Sequence, residues 1–486
     1  MIFWSYFYGT TSSLLYTIYT QLKHLCYGRS INEIIKIVYN LPRLKSNWEI
    51  LRYIIILFIG WRVAIFFITY FGISNFATAN LVDGTLNWPS PQLDYWIRWA
   101  NWDGGHFRGI AENTYLPQQT VFFPLYPLLM KVLMFFGLHS LWAGLLVSNI
   151  AAVIALFFIY KLVTLDFSQD LAKKVIFAIL VFPTSFYLGA VYSEAPFLSL
   201  TAGAFFFARK DKWAIAAILA GLASATRLVG FIVIIGIFIE YFLKQDIQFK
   251  IAYLYSTLIR KILIYFILFL ALINFTKDIA FYSSNWFIAG TLDSLSGLIQ
   301  TIVYFFLILT LLELTILHIN LKKIFTMNST LLLISLIPLS LYMYYQYLTF
   351  NSPLSFLINE QQWGRTFSMP WQPILSYINN LVGGLRIGGQ ANSVVEFSIF
   401  IISAICLIIS FHKLRLSYTV YFATSLFLPL FSGTLVAMPR YILMIFPLFI
   451  ILAMIKSGLI IKIGAVFSLL LLGAYSILFI NGYWVT

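Results

Sequence analysis

Apolar residues run through this chain in near-continuous stretches of about twenty, separated by short polar breaks that carry most of the charge. A run of that length crosses the hydrocarbon core as a helix. A chain in lipid must satisfy its backbone internally, which leaves helices or a closed barrel. The runs do not alternate with period two, so a barrel is excluded. The pattern predicts spans at roughly 51–71, 141–163, 174–190, 191–208, 213–227, 228–243, 262–276, 298–318, 328–349, 395–411, 417–433, 440–455 and 459–480. The shorter apolar segment 124–136 contains Pro124 and Pro127 and is expected to lie on the outer face as an interfacial helix. The expectation is an all-α polytopic membrane protein with about 11–13 transmembrane helices. Residues 1–50 would form a cytoplasmic or interfacial N-terminal segment, and 51–486 a single integral membrane domain.

Charge gives these spans a direction. The 486 residues are 61% hydrophobic and only 10% charged, yet carry a net charge of +14. In a soluble protein that excess would suggest nucleic acid. Here the basic residues sit in short loops between spans, where they report topology instead. With the N-terminal segment placed in the cytoplasm, 22 of the 31 basic residues fall inside and eight outside, and Arg62 lies within the first span. That asymmetry places two long loops, about 72–123 and about 350–394, on the outer face. Residues 1–20 lack a basic leader and a cleavage site, so no cleaved signal peptide is read. Cys26 and Cys406 have neither disulfide-framework nor metal-ligand spacing.

The first outer loop is the most polar stretch of the chain. Asp103 follows Trp96, Trp99 and Trp102 and precedes Gly104, Gly105 and His106. The glycines let the backbone turn tightly or approach a ligand. Tryptophans suit both the membrane interface and the apolar faces of sugar rings. Asp103 is a candidate catalytic acid or base, an incidental surface aspartate in an aromatic belt, or with His106 half of a metal site. Four charges lie at membrane depth: Arg62 in the first span, Glu194 and Arg227 at tight outer turns, and Arg440 at the start of a span. They are costly there unless paired or lining a cavity. Arg227 and Glu194 could form a buried pair, or the arginines could clamp a phosphate. The second outer loop brings Gln361, Gln362, Trp363 and Arg365, a polar-aromatic set suited to hydroxyls or phosphate, with interfacial anchoring as the simpler reading. There is no phosphate-binding loop of P-loop type and no dinucleotide fingerprint. No cofactor is expected, and an activated donor would come from the membrane.

Several motifs together resemble the PIG-V-type mannosyltransferases, the family of GPI mannosyltransferase 2 and its prokaryotic relatives. They are Trp102-Asp103-Gly104-Gly105-His106 with Ile110-Ala111-Glu112-Asn113 and Tyr115; Phe122-Phe123-Pro124-Leu125-Tyr126-Pro127; Tyr192-Ser193-Glu194-Ala195-Pro196; Thr226-Arg227; Asn351-Ser352-Pro353-Leu354 with Gln361 and Trp363-Gly364-Arg365; and Pro439-Arg440-Tyr441. Gly104-Gly105 replaces what eukaryotic members often carry after the acid, and a Gly-Asp often found before Pro353 is missing. The resemblance implies a C-type membrane glycosyltransferase fold. It implies transfer of a hexose, with mannose favoured, from a polyprenyl-phosphate donor to a lipid-linked or glycan acceptor on the outer face, with inversion. Asp103 would be the general base. Trp102, His106, Glu194, Arg227, Gln361, Trp363, Arg365 and Arg440 would bind donor or acceptor, and no metal is implied. The partners expected are the donor, the acceptor and membrane lipids, with no nucleic acid. The location is a cell membrane, with the endoplasmic reticulum membrane as the alternative. Two other classes compete: a lipid-linked oligosaccharide flippase, which would place broken helices at a midplane site, and a non-catalytic scaffold.

Overall fold

The computed structural model describes residues 42–79, 95–245, 326–382 and 390–485. The expected spans 262–276 and 298–318, and most of the N-terminal segment, lie outside these residues. Among the described residues the chain is helical with no strand. The helices are α1 (Pro42–Asn75), α2 (Asp103–Glu112), α3 (Leu125–Phe135), α4 (Ser140–Val163), α5 (Gln169–Leu180), α6 (Glu194–Arg209), α7 (Trp213–Ser224), α8 (Phe231–Lys244), α9 (Met327–Leu332), α10 (Ile337–Phe350), α11 (Ser355–Ile358), α12 (Trp371–Val382), α13 (Gln390–Lys413), α14 (Leu416–Phe427), α15 (Met438–Leu443), α16 (Phe446–Ala453) and α17 (Gly458–Ile480). Contacts divide the chain into two units, 1–61 and 62–486. The division falls inside α1, later than the boundary at residue 50 read from the sequence.

Five described runs are long and apolar enough to cross a membrane: Ser46–Asn75, Ser140–Val163, Met327–Phe350, Val394–Lys413 and Gly458–Ile480. α17 turns Leu459, Ile460, Ile463, Val466, Phe467 and Leu470 outward, an apolar surface that water would not tolerate and lipid would. The chain has the character of an all-α membrane protein.

The other expected spans are built differently. Segment 174–190 is not one helix. α5 ends at Leu180, and residues 185–189 form a 3-10 turn before α6 begins at Glu194. This non-helical backbone is buried, and side chains satisfy its polar groups. Ser185 Oγ donates to the Leu180 carbonyl at 2.7 Å, and Ser148 Oγ to that of Tyr192 at 3.0 Å. Irregular backbone at membrane depth survives only when enclosed by protein in this way. Segment 440–455 is likewise interrupted at Met444–Ile445, between α15 and α16, where Tyr421 Oη donates to the Met444 carbonyl at 3.0 Å. Segment 124–136 does form a short helix, α3, following Pro124. At about 1.5 Å per residue its 11 residues reach roughly 16 Å, too short to span.

α6 measures the distance between two charged layers. Its first residue, Glu194, lies in a cluster with Asp103, Arg227 and Arg440. Its last, Arg209, contacts Asp166 at 2.5 and 2.7 Å and buried Glu240 at 3.4 Å. Glu240 also receives Arg415 at 2.8 Å and Ser417 at 2.6 Å, and Lys244 meets Asp211 at 2.7 Å. Sixteen residues put the two clusters about 24 Å apart. The basic residues of the second cluster, Arg209, Lys244 and Arg415, are ones that charge bias assigned to the cytoplasm, and those of the first, Arg227 and Arg440, are ones it assigned to the outer side. Neither cluster mixes the two assignments. A cysteine at Asn113, which is exposed, is therefore expected to react with an impermeant thiol reagent from outside, and one at exposed Lys212 to be protected in intact cells. Labelling at 212 and not at 113 would invert the topology.

Candidate functional site

The site starts from a turn. The Gly104 amide donates to the Asn101 carbonyl at 3.2 Å, closing a four-residue turn around Trp102 and Asp103. Trp102 has φ 58° and ψ −122°, the geometry of the first central residue of a type II′ turn. Glycine is normal there; tryptophan is not. Asp103 is then the first residue of α2. Gly104 lies against the chain of Val191, whose carbonyl oxygen would sit 3.1 Å from any added Cβ, so a larger residue would push the turn away. Asn101 is fixed on both sides: its Nδ2 donates to the Phe479 carbonyl at 2.9 Å, and Tyr192 Oη donates to its own carbonyl at 2.8 Å.

Asp103 Oδ2 accepts from Arg440 Nη2 at 2.5 Å. The same guanidinium donates through Nε to Glu194 Oε1 at 2.6 Å. Arg227 Nη1 donates to that same oxygen at 2.8 Å and to Ser193 Oγ at 3.1 Å. Glu194 is fully buried, and its Oε2 has no hydrogen-bond partner among the described residues. The Arg440 guanidinium lies 5.1 Å and 5.0 Å from the ring centres of Tyr187 and Tyr192. The buried pair of Arg227 with Glu194 is thus present, and it extends through Arg440 to Asp103. Arg227 lies in the turn between α7 and α8, while Glu194 is the fully buried first residue of α6.

The second outer loop closes over this cluster. Arg365 lies 3.7 Å from Glu360 and over the Tyr441 ring at 5.4 Å; Arg227 approaches the same ring at 5.7 Å. Gly364, with φ 70°, provides the left-handed turn that aims Arg365 back. Trp363 Nε1 donates to the Gln118 carbonyl at 3.0 Å, and Asn359 Nδ2 to the Pro117 carbonyl at 2.7 Å and Thr120 Oγ1 at 2.9 Å. His106 stacks on Phe122 at 4.9 Å with Trp363 edge-on at 5.0 Å, and its Nδ1 is 3.4 Å from Gln119 Nε2. Gln361 is exposed and stands apart from these contacts. Trp102 packs edge-on against Trp484 at 4.9 Å.

Electrostatics sort the carboxylates. Burial alone would raise the Asp103 carboxyl, but Arg440 outweighs it by charge and hydrogen bond, aided by Arg227 and His106, and holds it below the ordinary aspartate value. Burial lowers His106 against the opposing pull of Asp103, which favours a neutral imidazole. Burial raises Glu360, opposed first by Arg365. Asp103 is therefore an ionised carboxylate at neutral pH, 15% exposed, on the side of the chain that carries the aromatic residues His106 and Trp363. Among the described residues no group of three His, Cys, Asp or Glu side chains could hold a metal ion.

Sequence reasoning missed Tyr187 and gave no role to Tyr192 and Tyr441, which flank the arginines, or to Asn359, which ties residues 359–363 to residues 117–120. It also missed Glu396, which accepts from the amide of Ala437, the positive-φ residue just before α15, at 3.2 Å. The aromatic spacing around Tyr-Ser-Glu at 192–194 was the available signal, but it reads as part of an apolar run. Compared with protein-family models, curated proteins and solved structures, the chain finds no match.

Removing one partner of a buried ion pair leaves an uncompensated charge and costs about 3–5 kcal/mol. Arg440→Gln is expected to lose stability on that scale in thermal unfolding, and wild-type stability would show that the bridge carries nothing. The Asp103 carboxyl is depressed in the folded state, so its stabilisation is present above the ordinary aspartate pKa of about 3.9 and is lost as pH falls through the lower folded value. Arg440→Gln should move that titration upward, read from unfolding temperature against pH.

Proposed function

We propose that this protein is a membrane glycosyltransferase of C-type architecture that transfers a hexose, with mannose favoured, from a polyprenyl-phosphate sugar to a hydroxyl of a lipid-linked or glycan acceptor. The observation that carries this reading is the ionised Asp103 carboxylate, held by Arg440 beside an aromatic patch and close to further arginines. A base must be unprotonated at working pH, and the depressed Asp103 carboxyl supports that requirement. It would deprotonate the acceptor hydroxyl as that oxygen attacks C1 of the sugar. The bond to the lipid phosphate breaks on the opposite side, and the phosphate departs with the electron pair.

The supporting chemistry is distributed. Arg227 and Arg440 are committed to Glu194, whereas Arg365 pairs with Glu360 at 3.7 Å and bonds Tyr441, and we assign it the lipid phosphate. Trp363 and His106 offer ring surfaces to sugar or prenyl chain. Glu194 sits between two arginines, fully buried, which argues against a carboxylate nucleophile and for direct displacement with inversion. The interruption at Met444–Ile445 is the feature that favours a transporter instead, since carriers build sites at broken helices. A transfer assay separates the two readings.

Asp103→Asn keeps the side chain's shape and removes the proton acceptor. Transfer from polyprenyl-phosphate mannose by the purified protein should fall by about 10²- to 10⁴-fold with donor binding retained. Wild-type turnover in that variant would remove Asp103 from the mechanism. Arg365→Lys should weaken donor affinity and Arg365→Ala more so, by roughly 10- to 150-fold for loss of a charged hydrogen bond. Unchanged affinity in the alanine variant, measured by donor titration, would pass the phosphate to Arg227 or Arg440.

A further inference from the structure

The segment that follows α17 returns to the Asp103 turn and holds it. Trp102 Nε1 donates to the Tyr483 carbonyl at 3.2 Å, and its ring meets Trp484 edge-on at 4.9 Å. Tyr187 Oη donates to the Val485 carbonyl at 2.6 Å, and Val485 is buried. Tyr187 is one of the two rings flanking Arg440. Residues 479–485 therefore touch both halves of the bridge: the turn that carries Asp103, through Asn101 and Trp102, and the ring beside the guanidinium that pairs with it.

The backbone makes that contact necessary. A bulky residue with positive φ is strained and persists only where its surroundings fix it. Trp102 has that conformation, and it immediately precedes Asp103. Released, Trp102 would relax to negative φ, open the turn closed by the Gly104 amide, and swing the Asp103 carboxylate off Arg440. We propose that Trp484, with the backbone of Tyr483 and Val485, is a positioning element: it clamps Trp102 in the left-handed region and so sets the place of the Asp103 carboxylate. The catalytic consequence rests on Asp103 being the base; the clamp itself does not.

The test uses the full chain, purified in membrane mimetic, with Trp484→Ala, Trp484→Phe and Trp102→Gly. Trp484→Ala should slow turnover by about 10- to 100-fold with donor KM unchanged, the scale of a misplaced catalytic group. Trp484→Phe keeps an edge contact and should restore most of it. Glycine adopts positive φ without help, so in the Trp102→Gly background Trp484→Ala should cost nothing further. Hydrogen exchange gives a readout independent of sugar transfer. The Gly104 and Gly105 amides should exchange faster in Trp484→Ala, while those of α17 stay as in wild type. Wild-type turnover and protection in Trp484→Ala would overturn the proposal, and so would equal losses with Trp or Gly at 102. If the alanine variant does not fold, Trp484→Leu replaces it in both backgrounds. If the wild-type protein transfers no sugar, the reading of Asp103 as base falls, and the exchange comparison alone decides the clamp.

Discussion

One guanidinium, that of Arg440, joins the two acidic residues around which the outer half of the molecule is arranged. It reaches Asp103 with one nitrogen and Glu194 with another, between the rings of Tyr187 and Tyr192. A lysine could not do both, because its charge is a point and not a fork. The residues concerned come from α2, α6, α15 and the 3-10 turn at 185–189, so the bridge fixes four separate stretches of chain at one place. Its cost is the desolvation of several charges, repaid only if each finds close partners.

A second consequence is chemical. A carboxylate at the end of such a bridge stays ionised despite burial, because the arginine charge outweighs desolvation. The same bridge ties up Glu194 between two arginines as part of the frame. Arg365 and Trp363 reach this centre from the second outer loop, where Asn359 and Trp363 fasten that loop to residues 117–120. The geometry brings together an ionised carboxylate, a further arginine and ring surfaces.

Much of this was legible in the sequence, and the physical reason differs from residue to residue. Asp103 stood out as an acid among tryptophans and glycines, but its ion pair with Arg440 did not. The pairing of Arg227 with Glu194 was visible because unpaired charges at that depth are prohibitive. The two charged layers at either end of α6 follow from the bias of basic residues. What could not be read was the break in the apolar runs at 181–193 and at Met444–Ile445, since hydropathy records burial and not helical continuity. The partners of Arg440 were hidden for the same reason: Asp103 and Arg440 are more than three hundred residues apart, and only the fold makes them neighbours. The strain at Trp102 leaves no mark in the sequence, because tryptophan does not announce a left-handed turn as glycine would.

The most direct test of this account is the stereochemistry of a single transfer. Purified protein is given polyprenyl-phosphate mannose of known anomeric configuration and a hydroxyl acceptor, and the configuration of the new glycosidic bond is read by nuclear magnetic resonance. One base opposite a departing phosphate, with Glu194 locked between two arginines, predicts a product of inverted configuration. A retained configuration, or no transfer from the lipid-phosphate donor, would contradict it.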